Sequence, residues 1–130
     1  GTKIAAQALL MLGNAYYGTG RYEEGRLIFQ KYLDEYGSDG PDGYGAWVSV
    51  GACMEQQGNQ IGAADHYANF ADAHAGSPFS SLALLEAARS YEDLGNRERA
   101  VKALTRIKSD YPDATVKREA EAQLREMGAS

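Results

Sequence analysis

Apolar and small residues return every three to four positions over successive stretches of this 130-residue chain, with charged residues between them, the pattern of amphipathic helices. It predicts helices over about 3–18, 22–36, 43–57, 60–74, 79–94 and 97–110, and a last one over about 114–127. Tight turns separate the members of each successive pair: Gly18-Thr19-Gly20-Arg21, Gln57-Gly58-Asn59 and Leu94-Gly95-Asn96. Glycine there supplies the left-handed residue that ends one helix, and Asn59 and Asn96 are placed to cap the next. Ser77-Pro78 reads as an N-cap followed by proline in the first helical turn.

The pattern repeats. Gly13, Gly51 and Ala88 fall at steps of about 37 to 38 residues, and four more columns keep that step: Tyr16, Met54, Tyr91; Gly20, Gly58, Gly95; Gly25, Ala63, Ala100; and Phe29, Tyr67, Leu104. A period of this size is that of stacked helix pairs. Small residues pair twelve positions apart, Gly13 with Gly25, Gly51 with Ala63 and Ala88 with Ala100, where two helices must approach closely. A Leu in such a seam would overpack it at roughly 1–3 kcal/mol. Large residues around the seams form the expected core: Leu9, Leu12, Tyr16, Phe29, Tyr32, Trp47, Val50, Met54, Tyr67, Phe70, Leu84, Tyr91, Leu104 and Ile107.

After Tyr111-Pro112 the last segment carries Val116, Ala120, Leu124 and Met127 on one face and Lys117, Arg118, Glu119, Glu121 and Arg125 on the other, as a soluble capping helix does. The expected architecture is therefore all-α: a right-handed α-solenoid of three helix pairs (about 6–39, 44–77 and 81–112) with a C-terminal cap, in one domain spanning 1–130.

Composition narrows the function classes. A formal net charge of -5 repels a phosphate backbone, so nucleic acid is not an expected partner. No apolar run reaches the roughly 20 residues that span a bilayer, so this segment is not expected to insert in a membrane. The single cysteine, Cys53, has no internal disulfide partner. The chain starts at Gly1 without an initiator Met, which suggests a domain excised from a longer protein with any targeting segment upstream.

The residues resemble the tetratricopeptide repeat family. The third unit, Leu84…Ala87-Ala88…Tyr91…Gly95-Asn96…Ala100…Leu104…Tyr111-Pro112, is the nearest match, and the first contributes Leu9…Leu12-Gly13…Tyr16…Gly20…Phe29. Gly25 departs from the usual Ala, and three or four extra residues lie between pairs. Those longer linkers, Gly37-Ser38-Asp39-Gly40-Pro41-Asp42 and Ala75-Gly76-Ser77-Pro78, with the closing Tyr-Pro, resemble a bacterial envelope subgroup: the Tol-Pal-associated cell-division coordinator, the lipoprotein of outer-membrane barrel assembly and ancillary proteins of the Sec translocon. That likeness implies a periplasmic adaptor, free or membrane-anchored, with a cytoplasmic location as the alternative.

In such arrays the first helices line a concave groove that seats a peptide or partner helix. The family's groove positions project onto Gln7, Leu10, Asn14 and Tyr17, then Val48, Ala52, Glu55 and Gln56, then Leu82, Leu85, Arg89, Glu92 and Asp93. Leu10, Val48 and Leu85 form an apolar stripe beside a net acidic strip, suited to a ligand with apolar anchors and some basic character. The same three residues are equally suited to packing on a neighbouring unit. Chaperone-binding members grip a carboxylate with Lys, Asn and Arg; the corresponding Leu10, Asn14, Ser49, Leu82 and Glu86 supply only the Asn, so no carboxylate clamp is expected.

Nothing in the sequence assembles a catalytic set, a metal site or a cofactor site. His66 and His74 lie eight residues apart, two turns rather than the one a shared metal needs, and read as surface histidines. Asp39 and Asp42 lack the alternating oxygens and closing Glu of a calcium loop, and read as a polar linker. Cys53, with no His or Asp partner in sequence, reads as a small core hydrophobe. Glu23-Glu24 and Glu119-Glu121 sit on solvated faces, and Gly18-Thr19-Gly20 lacks the Lys and strand of a phosphate loop. The expected role is a non-catalytic protein-interaction adaptor; the alternative is a structural module that forms homo-oligomers by repeat stacking.

Overall fold

The computed structural model describes residues 2–129; Gly1 and Ser130, the bounds of the expected domain, lie outside the described residues. Its elements are α1 (Thr2–Gly18), α2 (Tyr22–Tyr36), α3 (Gly40–Gln56), α4 (Gln60–Ala73), α5 (Ser80–Asp93), α6 (Arg97–Asp110) and α7 (Lys117–Glu126). Among the described residues there is no strand, and the all-α class holds. The helices group into two compact units, Gly1–Asn59 and Gln60–Ser130, the division falling in the turn inside the second expected pair.

In the first unit α1 packs on α2 and α2 on α3. Phe29, Tyr32 and Leu33 of α2 close on Ala46, Val50 and Cys53 of α3. Burying Phe29 alone contributes about 1.5–3 kcal/mol. The expected seam is there: a Cβ placed on Gly13 would meet the Phe29 ring at 2.7 Å, while one on Gly25 would have as its nearest neighbours the Gly13 carbonyl oxygen and Tyr16 Cβ at 3.4 Å and Cys53 Sγ at 3.5 Å. Glycine is therefore required on α1 and merely present on α2. Gly20, at φ +78°, ends the turn between them in the left-handed region.

In the second unit α4 packs on α5, α5 on α6 and α6 on α7. Leu84 and Ala88 of α5, Ala103, Leu104 and Ile107 of α6, and Ala120 and Leu124 of α7 share one core. Ala88 and Ala100 are both fully buried, as a close seam requires. Asn96 caps α6 as expected, its side-chain oxygen accepting from the Arg99 N–H at 3.2 Å, after Gly95 at φ +75°.

Three expectations change. Leu12 is 40% exposed rather than core, because α1 is the first helix and nothing described packs on its outer side; Leu9, Tyr16, Trp47 and Met54 are half-buried at the edge of the core. Gly40-Pro41-Asp42 is the first turn of α3, not linker: proline at the helix start gives up an N–H that needs no partner there. The turn closes over Ser38, whose backbone carbonyl carbon would stand 2.4 Å from a Cβ on Gly43. Finally, α5 and α7 start a little later than expected, at Ser80 and Lys117. Ser77 still closes the entry to α5, its Oγ accepting from the Phe79 N–H at 3.1 Å and its carbonyl from the Ser80 N–H at 3.2 Å.

Candidate functional site

The residues projected onto the first-helix faces fall in both units. In the first unit they sit on α1 and α3. Gln7 Nε2 donates to Asp42 Oδ2 at 3.2 Å near the start of both helices, and Gln56 Nε2 donates to Tyr17 Oη at 3.5 Å near the end of both. The two first helices therefore run side by side and parallel. Leu10 and Asn14, with Pro41, Asp42, Gly45 and Ser49 opposite, line a cleft of about 180 Å³ between them. Leu10 is half-buried against the core, so its side chain both supports the unit and floors the cleft. Val48, Ala52 and Glu55 are half-buried on α3, and the Tyr17 ring meets Tyr22 edge-on at 5.3 Å.

In the second unit the face is on α5, and here the structure adds something. Leu85, Glu86, Arg89, Glu92 and Asp93 line a cleft of about 600 Å³ whose other wall is α7, with Glu119, Ala122, Gln123 and Glu126. Five carboxylates stand around one guanidinium. Arg89 lies 2.9 Å from Glu86 and 3.3 Å from Asp93, one turn to either side, and its single positive charge is set against five negative ones in that lining. These exposed pairs add little stability; what they determine is the sign of the field in the cleft.

Sequence reasoning treated α7 as a cap and missed its part in this wall. The signal was present: a step of 37 from Leu82, Leu85, Glu86 and Arg89 lands on Glu119, Ala122, Gln123 and Glu126. Helix α7 holds the place of a fourth first helix. Leu82 turns elsewhere, into a cleft of about 480 Å³ between the linker after α4 and the one after α6. There Tyr111 Oη donates to the Ala75 carbonyl at 3.0 Å, which gives the closing Tyr-Pro a structural task.

The second helices carry a different chemistry. Arg99 reaches Asp65 at 2.8 Å and Arg106 reaches Asp72 at 2.7 Å, two matched bridges seven residues apart joining α4 to α6. Tyr91 Oη donates to the same Asp65 from a buried ring. Burial first, and the Asp65 bond next, push the Tyr91 phenol above its ordinary range.

The histidines are not surface residues as expected: both are half-buried, and the His74 ring rests on Phe70 at 4.8 Å. Among the described residues no three His, Cys, Asp or Glu are grouped to hold a metal ion. Cys53 is fully buried in the core of its unit, and burial pushes its thiol up, away from the reactive thiolate. Among the described residues no helix is long and apolar enough to cross a membrane.

Residues 7–38 and 82–114, together half of the chain, match the family described as tetratricopeptide repeat. These are the first and third of the helix pairs expected from periodicity. No curated protein matches the chain.

Proposed function

We propose, for a chain that belongs to the tetratricopeptide repeat family, a non-catalytic adaptor of the bacterial envelope that holds a peptide or helix of a partner protein on its first-helix faces. Repeats of this family mediate protein–protein interaction, and the coarse role follows from membership. The finer reading is carried by one observation: the α5–α7 cleft has an apolar floor at Leu85 and Ala122 under a rim of five carboxylates. Such a surface favours a segment that brings an aliphatic anchor flanked by Lys or Arg. The smaller α1–α3 cleft, with Leu10 beside Asn14, offers a second seat for an extended chain. Placement in the periplasm rests on the long linkers and the Tyr111-Pro112 close.

The test is a pull-down from envelope extract with the wild type and with Leu10→Glu plus Leu85→Glu, the helical circular-dichroism signal serving as the check on folding. Selective loss of a partner from the double variant is expected, with retention falling as salt rises. Recovery of every partner by a folded double variant rejects these faces as the binding surface.

A further inference from the structure

We infer that the cleft between α4 and α6, on the second-helix side of the second unit, binds an acidic peptide segment of a partner protein, with Lys102 taking its carboxylate. Both helices pack on α5. The Asp65–Arg99 and Asp72–Arg106 bridges tie them together, running the same way, and in each bridge the α6 residue lies 34 positions after its α4 partner. The same offset sets Lys102 opposite Ala68, on the rung between the two bridges. Ala68 has no carboxylate to offer. Glu98, one turn back on α6, lines the same cleft without pairing with Lys102. Among the described residues Lys102 makes no ion pair or hydrogen bond, so the ladder has two closed rungs and an open one between them.

The small side chain at Ala68 leaves room above it. The cleft holds about 450 Å³, and its floor is made by the buried Leu84 and Tyr91 of α5 and Ala103 of α6. The outer guanidiniums are already committed: Asp65 accepts from Arg99 and from the Tyr91 hydroxyl, and Arg106 holds Asp72 and, at 3.5 Å, Asp110. They stand about 10 Å apart, two turns along α6, with the Lys102 ammonium between them. An incoming carboxylate therefore meets one cation with no competitor. A glutamate side chain satisfies that cation and lays its aliphatic stem on the apolar floor, whereas a free anion uses only the first of these contacts. In a chain of net charge -5, the lining carries Arg99, Lys102 and Arg106 against Asp72 and Glu98, with Asp65 held by Arg99 beside it. The α5–α7 cleft has the opposite balance, so the two select partners of opposite charge. Both walls are internal elements, between α3 and α7 in chain order, and the open rung arises from the identity of Ala68 rather than from a missing neighbour.

The probe is a fluorescein-labelled peptide of repeating Glu-Ala-Leu-Ala units, titrated into the whole protein by fluorescence anisotropy beside the same peptide with glutamine for glutamate. Saturable binding of the glutamate peptide alone is expected, weakening as salt rises. Lys102→Ala should weaken it about fivefold, the upper end for a partly exposed ion pair. Ala68→Asp, which keeps the lysine and gives it a carboxylate from across the cleft, should weaken it as well. Lys108→Ala removes the same charge from an exposed position outside the cleft and should leave binding unchanged, as should Leu85→Glu. Lys102 is exposed, and a circular-dichroism melt checks that each variant is folded. Absence of binding, equal binding of the glutamine peptide, or equal losses through Lys102→Ala and Lys108→Ala overturns the inference. Displacement of the peptide by inorganic phosphate at equal concentration would give the site to a small anion, and self-association lost in Lys102→Ala would give it to a second copy; either overturns it too. Loss of partners through Leu10→Glu plus Leu85→Glu is a separate result, so the two readings fail independently.

Discussion

Gly13 lies beneath the ring of Phe29, so close that a methyl group on it would stand 2.7 Å from two ring carbons. The α1–α2 seam is built on that contact. Gly13→Ala must displace a ring that is 2% exposed, and we expect a loss of about 1–3 kcal/mol in urea unfolding. Across the seam, Gly25→Ala meets its nearest atoms at 3.4 Å, ordinary contact. It should gain about 0.5–1 kcal/mol from the reduced freedom of the unfolded chain and the better helix propensity. Equal effects at the two positions would mean that the seam is not closed by the Gly13–Phe29 contact.

Gly43 and Gly45 make a second contrasting pair on α3. A Cβ on Gly43 would collide with the Ser38 backbone at 2.4–2.8 Å, whereas one on Gly45 would meet nothing within 4 Å. Thermal melts should therefore show Gly43→Ala destabilised by about 1–3 kcal/mol and Gly45→Ala stabilised by about 0.5–1 kcal/mol. A Gly43→Ala protein as stable as the wild type would show that α3 does not begin by folding over Ser38.

Leu12 and Leu124 share a column of the repeat and differ in what surrounds them. Leu124 is 2% exposed against α6 and Leu12 is 40% exposed on α1. Leu124→Ala should cost about 2–5 kcal/mol, and Leu12→Ala less than about 0.5 kcal/mol. Chemical denaturation of the two variants checks this directly. A large loss at Leu12 would reveal a cover on α1 already present in the isolated chain.

Alkaline stability follows from three buried acids. Burial raises the Cys53 thiol and the Tyr32 and Tyr91 phenols, so the folded chain holds these protons longer than the unfolded chain does. Their stabilisation is complete below the unfolded values, about 8.5 for Cys and about 10 for Tyr. It declines as pH rises from there through the folded values. The urea midpoint of the wild type should fall between pH 7.5 and 10.5, and Cys53→Ala, lower at neutral pH, should fall less over the same interval. Parallel declines would exclude Cys53 from the pH response.

The helices were legible in the sequence because their signals are local. A 3.6-residue apolar period and turn glycines such as Gly20 and Gly95 act within a few residues of themselves, and the 37 to 38 residue step repeats them until chance is excluded. The large core residues followed wherever helices lie on both sides, as for Phe29, Leu84 and Ile107. Of the positions projected from the family resemblance, Leu10 and Asn14 line one cleft and Leu85, Arg89, Glu92 and Asp93 another, while Leu82 lines a third.

Only the tertiary structure decided which copy of a repeated position is covered. Leu12 and Leu124 carry the same side chain, and burial depends on whether a helix happens to lie opposite, a relation between distant segments that no local pattern encodes. The same holds for Gly13 and Gly25, alike in sequence and unequal in space because the Phe29 ring leans on one of them. It holds for α7, whose Glu119 and Glu126 become a wall only when α5 faces them. The sequence by itself determined the helices, their order and their apolar sides; packing decided which of those sides are filled, because burial needs a second segment to lie opposite.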